Sequence, residues 1–221
     1  NNLIYEKNII KKDNLVIGFI FILIGSSFFN SVNEWVASFI LLFLLNFILE
    51  SYQKDYPFSE FFNAALLLSI VSVSFPNTIY FSLLFLVSGI NYTNNNWRTI
   101  VVILLGIIMP YIFYYVYAFI SSTPFVIPEF FQFEPIKTPA LIWNPSPLNI
   151  WLSVLSFISF ISIVELFKWL YKKSIKSRKT FLSIFWYFVI SIIIALYSGV
   201  DYFYFTLTPL AVIIGNYFVY S

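Results

Sequence analysis

Three acidic residues stand where a carboxylate needs a reason: Glu34, Glu165 and Asp201. Glu165 ends a long apolar run and precedes Lys168 by three positions. On a helix that spacing puts both side chains on one face, within pairing reach. A charged side chain inside lipid is costly and points to function; at a helix end it is an ordinary ion pair, with the lysine reaching for water. Glu34 adjoins Trp35 in a short connection, and Asp201 precedes the last apolar run. Together with Glu129 and Glu134, these residues offer carboxylates that can act as acid and base, for instance on a lipid-linked sugar. Simple helix-end roles suit them equally: Asp201 as an N-cap, Glu34 as a first-turn acid.

The rest of the chemical inventory is thin. The chain has no His and no Cys. That removes the usual imidazole and thiolate ligands of transition metals and the commonest general base. No phosphate-binding glycine loop, nucleophile elbow or paired-acid metal motif is present. No catalytic, cofactor-binding or metal-binding residue is therefore assigned, and no cofactor is expected. The basic residues Lys172, Lys173, Lys176, Arg178 and Lys179 form the densest charge cluster. They suit anionic lipid head groups or an acidic partner, and they also serve as an orientation signal.

The elements that carry these residues follow from composition. Of 221 residues, 60% are hydrophobic, 23% aromatic and only 10% charged. A soluble domain carries about 25% charged residues, so this surface reads as one that faces lipid. The net charge of +2 gives no reason to invoke nucleic acid. The expected partners are the lipid bilayer, anionic lipids and other membrane proteins. The fold class expected is all-α, a polytopic transmembrane helix bundle of about eight short spans.

Eight apolar segments are read: Leu15–Phe29, Trp35–Leu49, Phe61–Phe75, Ile79–Ile90, Thr99–Ile120, Leu148–Leu166, Phe181–Tyr197 and Tyr202–Phe218. Their apolar runs are continuous, without the period-two alternation of a membrane barrel. Alternating their connections sorts the basic residues sharply. One side takes Lys7, Lys11, Lys12, Lys54, Arg98, Lys168, Lys172, Lys173, Lys176, Arg178 and Lys179; the other takes Lys137. Lys and Arg stay in the cytoplasm, which puts both termini of this chain there and the protein in a bacterial inner membrane. Removing two adjacent segments together leaves this test unchanged. Phe61–Phe75 and Ile79–Ile90 are short against the ~20 residues that cross hydrocarbon, and Pro76-Asn77 joins them as a tight turn. Eight spans are expected, with six spans and a re-entrant hairpin as the alternative. The pair Leu15–Phe29 and Trp35–Leu49 allows the same alternative.

Pro110 and Pro209 lie inside apolar segments, where each removes a helix hydrogen bond. Thr206 and Thr208 are expected to serve freed carbonyls. Asn46, Asn63 and Asn216 are expected to bond neighbouring helices. Six of ten prolines fall between Ser121 and Pro147, which is read as a loop lying along the outer surface. The six Trp read as depth anchors. Residues 1–221 read as a single transmembrane domain, and the initial Asn1 suggests a piece of a longer chain.

Several stretches carry a resemblance. They are Phe61 to Ala65 (Phe-Phe-Asn-Ala-Ala), the Ser-rich segment ending at Phe75, Asn96-Trp97-Arg98 before Gly106 and Pro110, and Leu207 to Phe218. The basic opening from Asn2 to Asp13 belongs with them. These resemble an uncharacterised Bacteroidota family of multi-pass inner-membrane proteins, a domain of unknown function. The resemblance implies a helical membrane fold and hands over no functional residue. Some members carry the label carotene monooxygenase. Carotenoid-cleaving iron enzymes use several His, and these 221 residues hold none.

Three functions are weighed. A non-enzymatic envelope scaffold or assembly component comes first, because catalytic residue types are scarce. An enzyme or flippase for a lipid-linked substrate comes second, using the outward acids. A small-solute transporter comes third, built on the Pro-interrupted helices, and it predicts a polar path near Pro110 or Pro209.

Overall fold

The computed structural model describes residues 15–28, 31–125, 147–171, 173–198 and 202–220. These form eight α-helices and one 3-10 helix, with no strand among the described residues. They are α1 (Val16–Phe28), α2 (Val32–Glu50), α3 (Phe58–Ser74), α4 (Ser82–Tyr92), α5 (Trp97–Ile120), α6 (Pro147–Leu170), α7 (Ile175–Ser198) and α8 (Tyr204–Tyr220). The 3-10 helix, Pro76–Phe81, joins α3 to α4. Four helices, α2, α5, α6 and α7, are long and apolar enough to cross a membrane; α1, α3 and α8 are shorter apolar helices.

Local chemistry sets the helix ends. Ser31 caps α2 by accepting the Glu34 amide at 3.4 Å, so Glu34 stands in the first turn, where its charge suits the helix dipole. Thr93 ends α4 in the left-handed region, φ 62°, and the Asn94 amide returns to the Gly89 carbonyl at 2.8 Å. The cationic stretch differs from the expected connection. Lys168 lies in the last turn of α6, and Lys176, Arg178 and Lys179 lie within α7, which starts six residues earlier than its apolar run. Helix propensity extends through Lys and Arg, so an apolar boundary underestimates the helix.

The bundle is arranged around its last helix. Residues 204–216 of α8 are all buried, and α8 packs against α1, α2, α6 and α7. Close approach is built in with small residues: a Cβ on Gly215 would strike Ile17 of α1. In α5, by contrast, Thr99, Gly106 and Ala118 are the buried positions, and the helix leans mainly on α3. A Cβ on Gly106 would lie 2.8 Å from both the Ala65 methyl and the Phe62 carbonyl oxygen. The remaining faces of α5 expose apolar side chains such as Leu104, Ile108 and Phe113.

The segment Ile79–Ile90 departs from expectation. It is divided, its first part belonging to the 3-10 helix and the rest to α4, which is only 11 residues long. The turn between α3 and α4 lies inside the bundle: Asn77 is 8% exposed and Thr78 and Phe81 essentially buried. The Phe81 ring meets Tyr187 edge-on at 4.9 Å, near the middle of α7. Ser72 bonds the Tyr111 hydroxyl at 2.6 Å, and α5 runs on for roughly 13 Å past that point at the helical rise. The α3–α4 hairpin therefore turns back well before its neighbours end. The interior backbone at the turn is paired, with the Thr78 amide donating to the Phe75 carbonyl at 2.9 Å.

Candidate functional site

Several polar residues inside the bundle bond from one helix to another. Ser38 of α2 donates to the Tyr204 carbonyl of α8 at 2.9 Å. Ser69 of α3 donates to the Ile107 carbonyl of α5 at 2.5 Å. Asn94 donates to the Ser51 carbonyl at 2.8 Å, tying the ends of α2 and α4. Asn91 of α4 donates to the Lys179 carbonyl at 2.8 Å and to the Ser183 hydroxyl at 2.9 Å, both in α7. Each bond removes a donor from an apolar interior and fixes two helices relative to one another.

The asparagines singled out from sequence behave differently. Asn46 donates to Glu50 of its own helix at 3.0 Å, an i, i+4 partner on the same face. Asn216 is buried, and its Oδ1 has no partner within hydrogen-bond geometry. Asn91 and Asn94, which do bond across helices, lie at the end of α4 and just past it, where nothing in the residue pattern marks them out. Thr206 also differs: its hydroxyl bonds the Phe203 carbonyl at 2.7 Å, one turn back, and not the Phe205 carbonyl whose helical partner Pro209 removes.

An aromatic cluster occupies the region beside the hairpin turn. Phe81 stacks on Phe205 at 4.9 Å, Tyr204 on Phe205 at 4.4 Å, and Phe75 packs on Tyr204 at 4.9 Å. The Tyr187 and Thr208 hydroxyls are buried here and lack well-formed hydrogen bonds. Of the acids, Glu34 stands at this end, close enough to Tyr204 to interact electrostatically.

Glu165 and Lys168 are paired at 3.5 Å on the bundle surface, with side chains 49% and 70% exposed. That is the helix-end pairing, not a sequestered carboxylate. Asp201, Glu129 and Glu134, and most of the Pro-rich connection, lie outside the described residues, as does the side chain of Lys172. Of the acids Glu34, Glu165 and Asp201, the described residues include Glu34, in the first turn of α2, and Glu165, paired with Lys168 near the end of α6. Among the tryptophans, Trp35 packs against Gly25, where an added Cβ would lie 2.5 Å from the indole, so it is a helix-packing residue as well as a candidate anchor.

Clefts line the helices at several places. One of about 350 Å³ lies at Pro110, walled by Leu66, Ile70, Val73, Met109 and Phe113; it is an apolar groove. A second, about 400 Å³, runs between α1, α6 and α8 and is apolar throughout. A third carries serine and threonine hydroxyls. It holds about 180 Å³ between α6 and α7, floored by α8, with Ser156, Ser159 and Thr206 on its walls among Leu152, Phe188 and Leu210. It exists because α6 and α7 meet near the basic end, Trp169 against Phe181 at 5.1 Å, while α8 is wedged between them further along. The Ser159 hydroxyl is already bonded to the Leu155 carbonyl at 2.6 Å, leaving acceptor capacity facing the cleft.

A family model matches residues 2–221, almost the whole chain; it describes DUF6427, a family of unknown function. Nothing matches the chain among curated proteins or among solved structures.

Proposed function

We propose, for a chain that belongs to the DUF6427 family of unknown function, that it is a multi-pass protein of the bacterial inner membrane acting as a non-enzymatic envelope scaffold or assembly component. The observation that carries this reading is the use made of interior polar groups. Ser38, Ser69, Asn91 and Asn94 each bond a backbone carbonyl of another element, so these four polar groups serve assembly of the bundle. The exposed apolar flank of α5 supplies surface for lipid or for a neighbouring membrane protein.

The basic helix ends face the cytoplasm in this reading, because Lys and Arg resist export. The shallow turn at Phe81 supports the alternative topology, six spans with α3 and α4 as a re-entrant hairpin entering from the cytoplasm. Irregular backbone at membrane depth is tolerated where protein covers it, which is the state of the Pro76–Phe81 turn.

The test is complementation. In a strain lacking the protein, Glu34→Gln, Glu165→Gln and Asp201→Asn should each restore the wild-type phenotype at normal protein level. Loss of function at any one acid with normal level would overturn the scaffold reading.

The cleft with Ser156, Ser159 and Thr206 favours a second reading, a site for a lipid-linked substrate entering sideways between α6 and α7. Filling it with Ser156→Leu would then abolish function without lowering protein level, whereas a scaffold would keep function.

A further inference from the structure

We propose that the cations where α6 meets α7 form a ledge that docks the head groups of anionic phospholipids. Five basic residues fall between positions 172 and 179. The nearby Lys168 already has Glu165 as its partner. The first turn of α7 holds Lys176 and Arg178, both exposed, and no acid. Cations at the positive end of a helix dipole repel it, and an anion there relieves the repulsion.

Three further anchors separate this arrangement from a loose run of charge that sets orientation alone. The Lys173 ammonium lies 4.3 Å from the Trp169 ring centre, which pins a positive charge on a residue type that favours the membrane boundary. Asn91 grips the Lys179 carbonyl and the Ser183 hydroxyl, so the first two turns of α7 are fixed on α4. The Lys179 ammonium itself is held 6.0 Å from the Tyr52 ring. The charges thus stand on a platform fixed at three points, by α4, by Trp169 and by Tyr52. A phosphate-bearing head group matches in sign, and the lipid surface supplies it at the right depth. The proposal rests on the membrane reading above.

The full-length chain is reconstituted into bilayers of phosphatidylcholine alone or mixed with phosphatidylglycerol, and thermal unfolding is followed. Phosphatidylglycerol should raise the midpoint by several degrees, and added salt should shrink that rise. The triple variant Lys176→Gln, Arg178→Gln, Lys179→Gln should keep the midpoint in phosphatidylcholine and lose the rise. The control Arg98→Gln removes a cation that the ledge does not use and should keep it. Should the triple variant not fold, native mass spectrometry of the wild type decides: phosphatidylglycerol must be retained over phosphatidylcholine. Equal response of wild type and triple variant, loss of the rise in the control, or the same rise from inorganic phosphate with phosphatidylcholine would each overturn the ledge. Failure of the wild-type chain to enter any bilayer would overturn the membrane reading as well.

Discussion

The Ser38 hydroxyl donates to the Tyr204 carbonyl at 2.9 Å, joining positions 166 residues apart in sequence. Ser38 is fully buried, and the bond fastens α2 to the first turn of the central helix. Replacing it tests two separate things. Ser38→Ala removes one hydrogen bond and should lower stability in detergent by about 1 kcal/mol. Ser38→Leu also overfills a closed site and should cost about 1–3 kcal/mol more, measured by thermal or denaturant unfolding. Equal effects of the two would show that the site has room to spare.

Gly106 should be the most sensitive position of α5. Its neighbours are the Phe62 carbonyl and the Ala65 methyl, neither of which can swing aside. Gly106→Val should push α5 off α3, and the Ser69 and Tyr111 bonds should fail with it. The expected readout is faster proteolysis within α5 and a lower unfolding midpoint. Leu104→Val, on the exposed face, should change neither.

Tyr187 distinguishes the value of a ring from the value of its hydroxyl. The ring packs against Phe81, while the hydroxyl lacks a well-formed bond. Tyr187→Phe should therefore be neutral or slightly stabilising, since it removes a poorly satisfied buried polar atom. Tyr187→Ala should cost about 3–5 kcal/mol through the cavity it leaves. A strongly destabilising Tyr187→Phe would show that the hydroxyl is bonded, to the neighbouring Thr208 hydroxyl or to a bound water.

The absence of cysteine makes the orientation directly measurable. Ser122→Cys and Ile175→Cys place single thiols at exposed positions at opposite ends of the bundle. An impermeant thiol reagent added to intact cells should modify the first and spare the second until the membrane is permeabilised. The reverse pattern would invert every assignment of inner and outer face.

Much of the helical content was legible because continuous apolar runs admit little else. Trp97–Ile120 matches its expected segment, Thr99–Ile120, within two residues. What the sequence concealed has a common cause. In an apolar chain the side that faces outward and the side that faces a neighbour are both hydrophobic, so periodicity does not separate them. Leu207 and Ile213, fully buried in α8, look no different from the exposed Leu104 and Ile108 of α5. The Pro76–Phe81 turn was anticipated as a dipeptide, yet its burial depended on the aromatic rings of Tyr187, Tyr204 and Phe205, which are remote in sequence. Hydroxyls such as Ser38 and Ser69 passed as background because serine usually satisfies itself one turn back, as Ser159 and Ser191 do.

The helix that holds the others together is also the last of them to leave the ribosome. Until α8 emerges, α1, α2, α6 and α7 lack the surface they share, and their hydroxyl and small-residue faces must wait without it. The packing that α1, α2, α6 and α7 make on α8 is thus completed late, after the contacts of α3 with α2 and α5 are available. A nonsense change between Ser198 and Tyr204 would leave α1, α2, α6 and α7 without the helix they share.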